Sequence, residues 1–464
     1  MRKNAEIERH PASFRDPSGF VFSRGGRLYR QVNRNYASNY EKLLSSGLYD
    51  RLIQQRLLLP HSEVEAPAAR PEDAFKILEP ELLEFVSYPY EWCFSQLKDA
   101  ALVTLAAQRT AIERGMTLKD ASAYNVQFRL GEPKLLDTLS FEVLPEGEPW
   151  VAYRQFCQHF LAPLALMAYR DIRLGQLLRS QIDGIPLDLA SRLLPRRTWL
   201  SSRLLVHLHL HATAQRKYAG ENVSARRAGR QMSRRALLGL AESLQAAVRR
   251  LRWRPFGTAW ANYEQFHGYS QADLAEKHRL VAEFVHQVQP TSVWDLGANV
   301  GGFSRIASRR GITVLAFDAD PAAVEQNYLR AKKEEDSHLL PLVLDLTNPS
   351  PALGWAGTER MSLKERGPAD AVLALALVHH LAISNNVPLA RIAEFLAGLS
   401  RWLLIEFIPK QDPQVERLLA NRADIFPDYS LDGFGAAFAA DYETRRRDPI
   451  GDSGRWMYWM ERRK

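Results

Sequence analysis

The stretch Ser292–Phe303, Ser-Val-Trp-Asp-Leu-Gly-Ala-Asn-Val-Gly-Gly-Phe, constrains this chain more than any other. Apolar Val293 and Trp294 read as a strand closing in Asp295, after which Gly297, Asn299 and Gly301 turn the backbone into a helix at Phe303. Glycines in such a turn let the main chain bend sharply and approach a ligand closely. A strand, a Gly-rich turn and a helix N-terminus in succession form a nucleotide-sized pocket at the carboxyl end of a parallel sheet.

Residues beyond Phe303 repeat that unit. A helix (303–309) leads to a strand (312–317) closing in Asp318, at close to the roughly 20-residue interval at which an acid meets ribose hydroxyls in βαβ sites. A helix from Pro321 precedes strand 339–344, which closes in Asp345-Leu346. The nearly all-apolar run 370–378 suits a strand buried inside a parallel sheet and ends in His379-His380. A further helix (389–399) and strand (402–405) close in Glu406, and 442–446 with 455–462 reads as a final antiparallel pair. Strands alternating with helices predict a doubly wound, Rossmann-like α/β sheet with its site along one edge.

These residues closely resemble class I S-adenosylmethionine (SAM)-dependent methyltransferases over roughly 258–464, whose first motif is Asp-x-Gly-x-Asn-x-Gly. The resemblance implies that Asp295 orients the methionine ammonium, that Gly297, Asn299 and Gly301 admit the cofactor, that Asp318 takes the ribose hydroxyls, and that Asp345 with Leu346 meets the adenine. The chemistry agrees, since carboxylates suit an ammonium and paired hydroxyls. An acid at the first strand end would repel a dinucleotide's pyrophosphate. For the acceptor side, His379, His380 and Glu406 are the candidate catalytic residues, the imidazoles having a suitable pKa for proton removal; a structural role for the His pair carries equal weight. Lys410 also falls on that side. Asn348-Pro-Ser-Pro351 comes after the third strand rather than the fourth, so it reads as a turn and not as an amino-methylating box. The whole chain also resembles a bacterial family labelled as nodulation-related methyltransferases.

The N-terminal part, 1–190, is expected to be α+β. Gly25-Gly26 between 20–22 and 27–32 signals a hairpin. A helix is expected over 40–59 with Gly47 able to split it, then strands at 74–78 and 83–87, and a helix over 95–114. Asp120-x-x-x-x-Asn125, with Leu-Leu-Asp137 a dozen residues on, resembles the catalytic loop and metal-binding Asp of kinases, over roughly 14–200, with Tyr88–Trp92 as hinge. In that chemistry the first Asp receives the hydroxyl proton while Asn and the second Asp hold Mg²⁺. There is no Gly-rich loop, Arg30 and Lys76 are poor stand-ins for the nucleotide lysine, and Asp-Thr-Leu replaces Asp-Phe-Gly. The bland reading is a capped turn.

Between the two, 191–257 is expected to be a basic helical region. Residues 192–254 hold fifteen Lys and Arg against two acids, which suits either solvated helices or a phosphate-bearing ligand. Alternating His207, His209 and His211 lack an acidic or Cys neighbour, so surface or core histidines are favoured over a metal site, and no metal is expected. Trp260, Tyr263, Phe266 and Tyr269 form an aromatic cluster suited to a lid or to linker docking.

Cys93 and Cys157, far apart, suit free thiols in a reducing cytoplasm, and no secretory h-region or membrane-length apolar run is evident. The resulting expectation is a cytoplasmic SAM-dependent methyltransferase acting on an O or N acceptor, its N-terminal half recognising that acceptor or a partner. The alternatives are a kinase-like nucleotide-binding module joined to a methyltransferase-fold sensor, and a bifunctional enzyme.

Overall fold

The computed structural model describes residues 7–213, 231–254, 269–420 and 423–464. Trp260, Tyr263 and Phe266 of the expected aromatic cluster lie outside them. The chain divides into two compact units, one of residues 1–254 with Leu353–Arg360, the other of 255–352 and 361–464.

In the first unit, β1 (Ile7–Arg9), β2 (Gly19–Arg24), β3 (Arg27–Asn33), β4 (His61–Glu63) and β5 (Ala74–Pro80) form an antiparallel sheet ordered β1-β2-β3-β5-β4. The expected hairpin is there: Arg24 pairs with Arg27 across Gly25 and Gly26, both at positive φ (58° and 77°). The expected single helix is two, Ala37–Ser45 and Leu48–Gln54, because Gly47 adopts φ +67° between them. Residues 83–87 form no strand; Ser87 is held instead by the Gln127 side chain, which accepts from its N–H and donates to its carbonyl. Helix Phe94–Glu113 buries a long apolar stripe including Leu97, Ala101, Leu105 and Ile112. After it come β6 (Met116–Leu118), β7 (Val126–Arg129), β8 (Glu132–Leu135) and β9 (Phe141–Val143), paired β6 with β9 and β7 with β8.

The described helix of the basic region belongs to the first unit. Helix Arg234–Arg250 buries Leu237, Ala241, Leu244 and Val248, and Lys98 of helix Phe94–Glu113 donates to the carbonyls of Arg249 and Leu251. The charge patterning marked its solvent face; the apolar face is what assigns it to the first unit.

The second unit is built on seven strands: β10 (Ser292–Leu296), β11 (Thr313–Asp318), β12 (Leu339–Val343), β13 (Ala369–Ala374), β14 (Ser400–Phe407), β15 (Tyr442–Pro449) and β16 (Trp456–Arg462). Their order is β12-β11-β10-β13-β14-β16-β15, parallel from β12 to β14, with β16 and β15 antiparallel. The order reverses direction between β10 and β13, the point at which an open α/β sheet opens its ligand crevice. Helix Gln271–Val288 starts at a Ser270/Asp273 capping box and ends at Gln289, φ +48°, before Pro290. It packs Leu280, Val281, Phe284 and Val285 onto Val293, Val314, Ala371 and Leu404 of the sheet; each such fully buried side chain contributes about 2 kcal/mol. No helix among the described residues is long and apolar enough to cross a membrane.

Candidate functional site

Asp295 ends the apolar part of β10 with its side chain out of solvent, 2 % exposed. Its one hydrogen bond among the described residues comes from Ser304 Oγ, 2.6 Å from Oδ2. Burial raises its pKa to about 6, opposed by Ser304 and by the Lys277 charge. A carboxylate so poorly compensated is a ready partner for a cation.

The glycine turn is fixed by its backbone bonds and its packing. Gly297 and Ala298 both donate to Phe317 O, which pins the turn to β11. Gly297, Asn299 and Gly301 sit at φ +80°, +50° and +76°. A Cβ on Gly301 would fall on the Asn327 amide and within 2.7 Å of Arg305 Nη1, so only glycine passes. Leu377 caps the other side, 3.5 Å from where a Gly297 Cβ would stand.

Asp318 closes β11 as expected. Its Oδ2 accepts from Asn299 N (2.7 Å) and its Oδ1 from Asp320 N (2.8 Å), while burial raises its pKa to about 6. With Ala319 also bonded to it, the carboxylate keeps one of its roughly four acceptor sites for a ligand hydroxyl. Asp345 is exposed just past β12, where Oδ1 accepts from Thr347 N and Oγ1 at 2.8 and 2.7 Å; Leu346 is half-buried beside it. Asn348 N donates back to Asp345 O, so the Asn-Pro-Ser-Pro segment begins as a turn.

The acceptor-side residues are placed differently from their expected position. β13 ends at Ala374 rather than running to the histidines, because Ala376 adopts φ +51° and breaks it. His379 and His380 therefore lie on the wide helical turn that comes next, with ring centroids 4.1 Å apart. His379 is 2 % exposed and its Nδ1 has no hydrogen-bond partner. Burial, then the charges of His380, Arg455 and Lys277, hold its pKa well below the usual value, so the ring is neutral.

Glu406 is not a free base. It is wholly buried at the end of β14, with Lys277 Nζ 2.7 Å from Oε2 and Ala376 N donating to Oε2 at 2.9 Å. Tyr269 donates its hydroxyl to Oε1, Lys277 donates to the Tyr269 hydroxyl at 2.9 Å, and Arg455 Nη1 stands 3.7 Å from Oε1. Burial pushes the Glu406 pKa up, but Lys277 and Arg455 outweigh it and keep the group anionic. Through Ala376 it ties down the turn that precedes Leu377, which packs at Gly297, and His379. Lys410 is likewise committed, to both Asp424 oxygens and Phe426 O.

No sequence motif marks Lys277 or Arg455, and Tyr269 stands out only as part of an aromatic cluster. A lysine on the apolar face of an amphipathic helix was the available signal for Lys277, whose side chain is 3 % exposed and lies 4.7 Å from the ring centres of both Tyr269 and Phe303.

In the first unit the kinase-like residues make local bonds. Asp120 Oδ1 accepts from Ser122 N (3.0 Å) and Gln155 Nε2 (2.8 Å), and Asn125 Nδ2 donates to Ser140 Oγ (3.2 Å). Asp137 caps Leu139 N and is bridged at 2.7 Å by Arg30 of β3. The Tyr88–Trp92 segment is a buried capped turn, with Glu91 accepting from Tyr88 N. Arg360, from the separate segment Leu353–Arg360, lies over the Tyr124 ring at 4.1 Å, and Glu359 takes a two-pronged bridge from Arg15. His207 bonds Tyr153 and Ser243, His209 bonds Ser191 and Thr198, and both are buried. Among the described residues no set of three His, Cys, Asp or Glu side chains could hold a metal ion.

Strand order, the reversal between β10 and β13, and acids at successive strand ends define a doubly wound, Rossmann-like α/β fold in the second unit. The chain as a whole is 36 % identical over 462 residues to nodulation protein NoeA of Rhizobium meliloti (strain 1021), covering 97 % of this chain and 95 % of that one, and it belongs to that family. No family model matches it. Solved structures similar to part of it include WbdD, described as a bifunctional kinase-methyltransferase (13 % identity, 44 % of this chain, 42 % of that one, TM-score 0.30). Others are the N-methyltransferase NodS of Bradyrhizobium japonicum WM9 (10 %, 42 % and 99 %, TM-score 0.31) and magnesium protoporphyrin IX methyltransferase of Synechocystis PCC 6803 with bound SAH (15 %, 43 % and 93 %, TM-score 0.30). The chain spans less than half the length of WbdD.

Proposed function

We propose that the protein is a SAM-dependent methyltransferase whose cofactor lies across Gly297–Gly301. The observation that carries this reading is the buried, undercompensated Asp295 beside a left-handed Gly-rich turn at the point where the sheet order reverses. Asp295 would take the methionine ammonium, Asp318 the ribose hydroxyls, and Asp345, with one oxygen uncommitted among the described residues, the adenine amino group beside Leu346. When bound, SAM supplies a strongly electrophilic methyl on a sulfonium. The residues have then only to align an acceptor with it and accept its proton. Glu406, Lys277 and Tyr269 keep the Ala376–His379 turn in place for that alignment.

Thermal melts test the reading. SAM and S-adenosylhomocysteine should each raise the melting temperature with concentration, while NAD should not. Equal responses to all three, or none, would contradict it.

For the first unit we propose recognition of the acceptor or a partner rather than phosphoryl transfer. The supporting observation is the Arg30–Asp137 bridge, which places a guanidinium where the kinase resemblance requires a divalent ion. The exposed arginines of helix Arg234–Arg250 suit a phosphate-bearing ligand in the same role.

A further inference from the structure

Resting on the methyl-transfer reading, we propose that the methyl acceptor is a hydroxyl group, held between Arg455 Nη1 and His379 Nδ1. Both residues are sealed from solvent, Arg455 at 1 % and His379 at 2 % exposed, and both of these atoms lack a hydrogen-bond partner. Leaving one buried polar atom unsatisfied costs about 1–3 kcal/mol. Two of them in one cluster point to a ligand that satisfies both.

The rest of Arg455 is fully engaged, which fixes the direction of its spare donor. Nε donates to Asp412 Oδ2 at 2.7 Å, the guanidinium lies 4.1 Å over the Tyr269 ring, and Nη1 stands 3.7 Å from Glu406 Oε1, beyond hydrogen-bond reach. His379 lies three residues after Ala376, whose N–H is bonded to Glu406 Oε2. The Arg455 and Lys277 charges both act on His379, so the two unsatisfied atoms share one neighbourhood beside Glu406, bordered by Lys277, whose charge also reaches Asp295.

Their chemistry selects the acceptor. A guanidinium N–H can only donate, whereas a neutral imidazole with its proton on Nε2 accepts at Nδ1. A hydroxyl accepts from the first and donates to the second. A neutral amine has a single lone pair, which cannot serve Arg455 and the methyl carbon at once, whereas a hydroxyl oxygen has two; a protonated amine has none and is repelled by Arg455 and Lys277. A carboxylate has no proton for His379. In the transfer, the acceptor oxygen bonds to the methyl carbon as the carbon–sulfur bond of the SAM sulfonium breaks. The hydroxyl proton passes to His379 Nδ1 while its electron pair stays on oxygen, and the donor leaves as a neutral thioether.

The test supplies full-length protein with isotope-labelled methyl SAM and an extract of the source cells, and reads the product by carbon NMR and by treatment with base. A base-stable methyl ether is expected. His379→Ala should lose about a hundredfold or more in transfer while binding SAM within twofold of wild type. His379→Asn, which restores an acceptor oxygen but no base, should recover KM and not kcat. Arg455→Lys, which keeps the charge facing Asp412, should raise KM about tenfold or more. Label in a methylamine or a base-labile ester, or His379→Ala transferring at the wild-type rate, would overturn the proposal and leave SAM binding untouched. Failure of the wild type to bind SAM would instead overturn the methyltransferase reading and this inference with it.

Discussion

Lys277 Nζ stands 2.7 Å from Glu406 Oε2, with the two side chains 3 % and 0 % exposed. Such a pair is costly to break, because removing one member leaves the other charge buried and unpaired. Glu406→Ala should therefore destabilise the second unit by about 3–5 kcal/mol, measured by urea unfolding. Lys277→Met with Glu406→Leu should cost clearly less than the sum of the single changes. An additive result would mean that the bridge is not a coupled unit.

Asp295 should behave in the opposite way. Its folded pKa of about 6 lies above the unfolded value of 3.8, so the folded state binds its proton more tightly. It therefore takes stability away as pH rises from about 4 to 6, and no further above that. Asp295→Asn should be more stable than wild type by about 2–3 kcal/mol at pH 7 and nearly equal to it at pH 4, seen as converging denaturation midpoints. The same titration acts on the cofactor: SAM affinity should weaken below about pH 6, approaching tenfold per pH unit, and Asp295→Asn should remove that slope.

Gly301→Ala should cost more than Gly297→Ala, although both residues sit at positive φ. At Gly301 the new methyl meets the Asn327 amide and Arg305, whereas at Gly297 it meets Leu377 at an ordinary 3.5 Å. About 2 kcal/mol or more is expected for the first and about 1 kcal/mol for the second, from melts of the apo protein.

Mg²⁺ with ATP should leave the melting temperature of the first unit unchanged, since Arg30 already neutralises Asp137. A Mg²⁺-dependent shift abolished by Asp137→Ala would restore the phosphoryl-transfer reading.

Much of the second unit was legible because its strands announce themselves twice, by apolar runs and by the acids that end them. Asp295, Asp318 and Asp345 all fall at strand ends in the expected order, and the β15–β16 pair lies where the tail pattern put it. The misplacement at 370–378 has a physical cause: an all-apolar run carries no period, so nothing local reveals that Ala376 turns left-handed. That turn is held by Glu406, distant in sequence, and the residues that hold Glu406 are distant too. Lys277 lies on another helix and Arg455 on the approach to β16, and single-residue patterns do not encode such convergence. The same limit applies to Asp137, whose motif spacing fits a metal ligand while its partner, Arg30, closes that role from across the fold.

The most direct measurement is calorimetric titration of SAM into the full-length protein and into Asp295→Ala. Wild type should bind with a dissociation constant on the order of micromolar, about −8 kcal/mol, and Asp295→Ala, still folded by its melt, should show no measurable binding. A folded wild type that takes up no SAM, or an Asp295→Ala variant that binds as tightly, would contradict the assignment of the Gly297–Gly301 turn as the cofactor site.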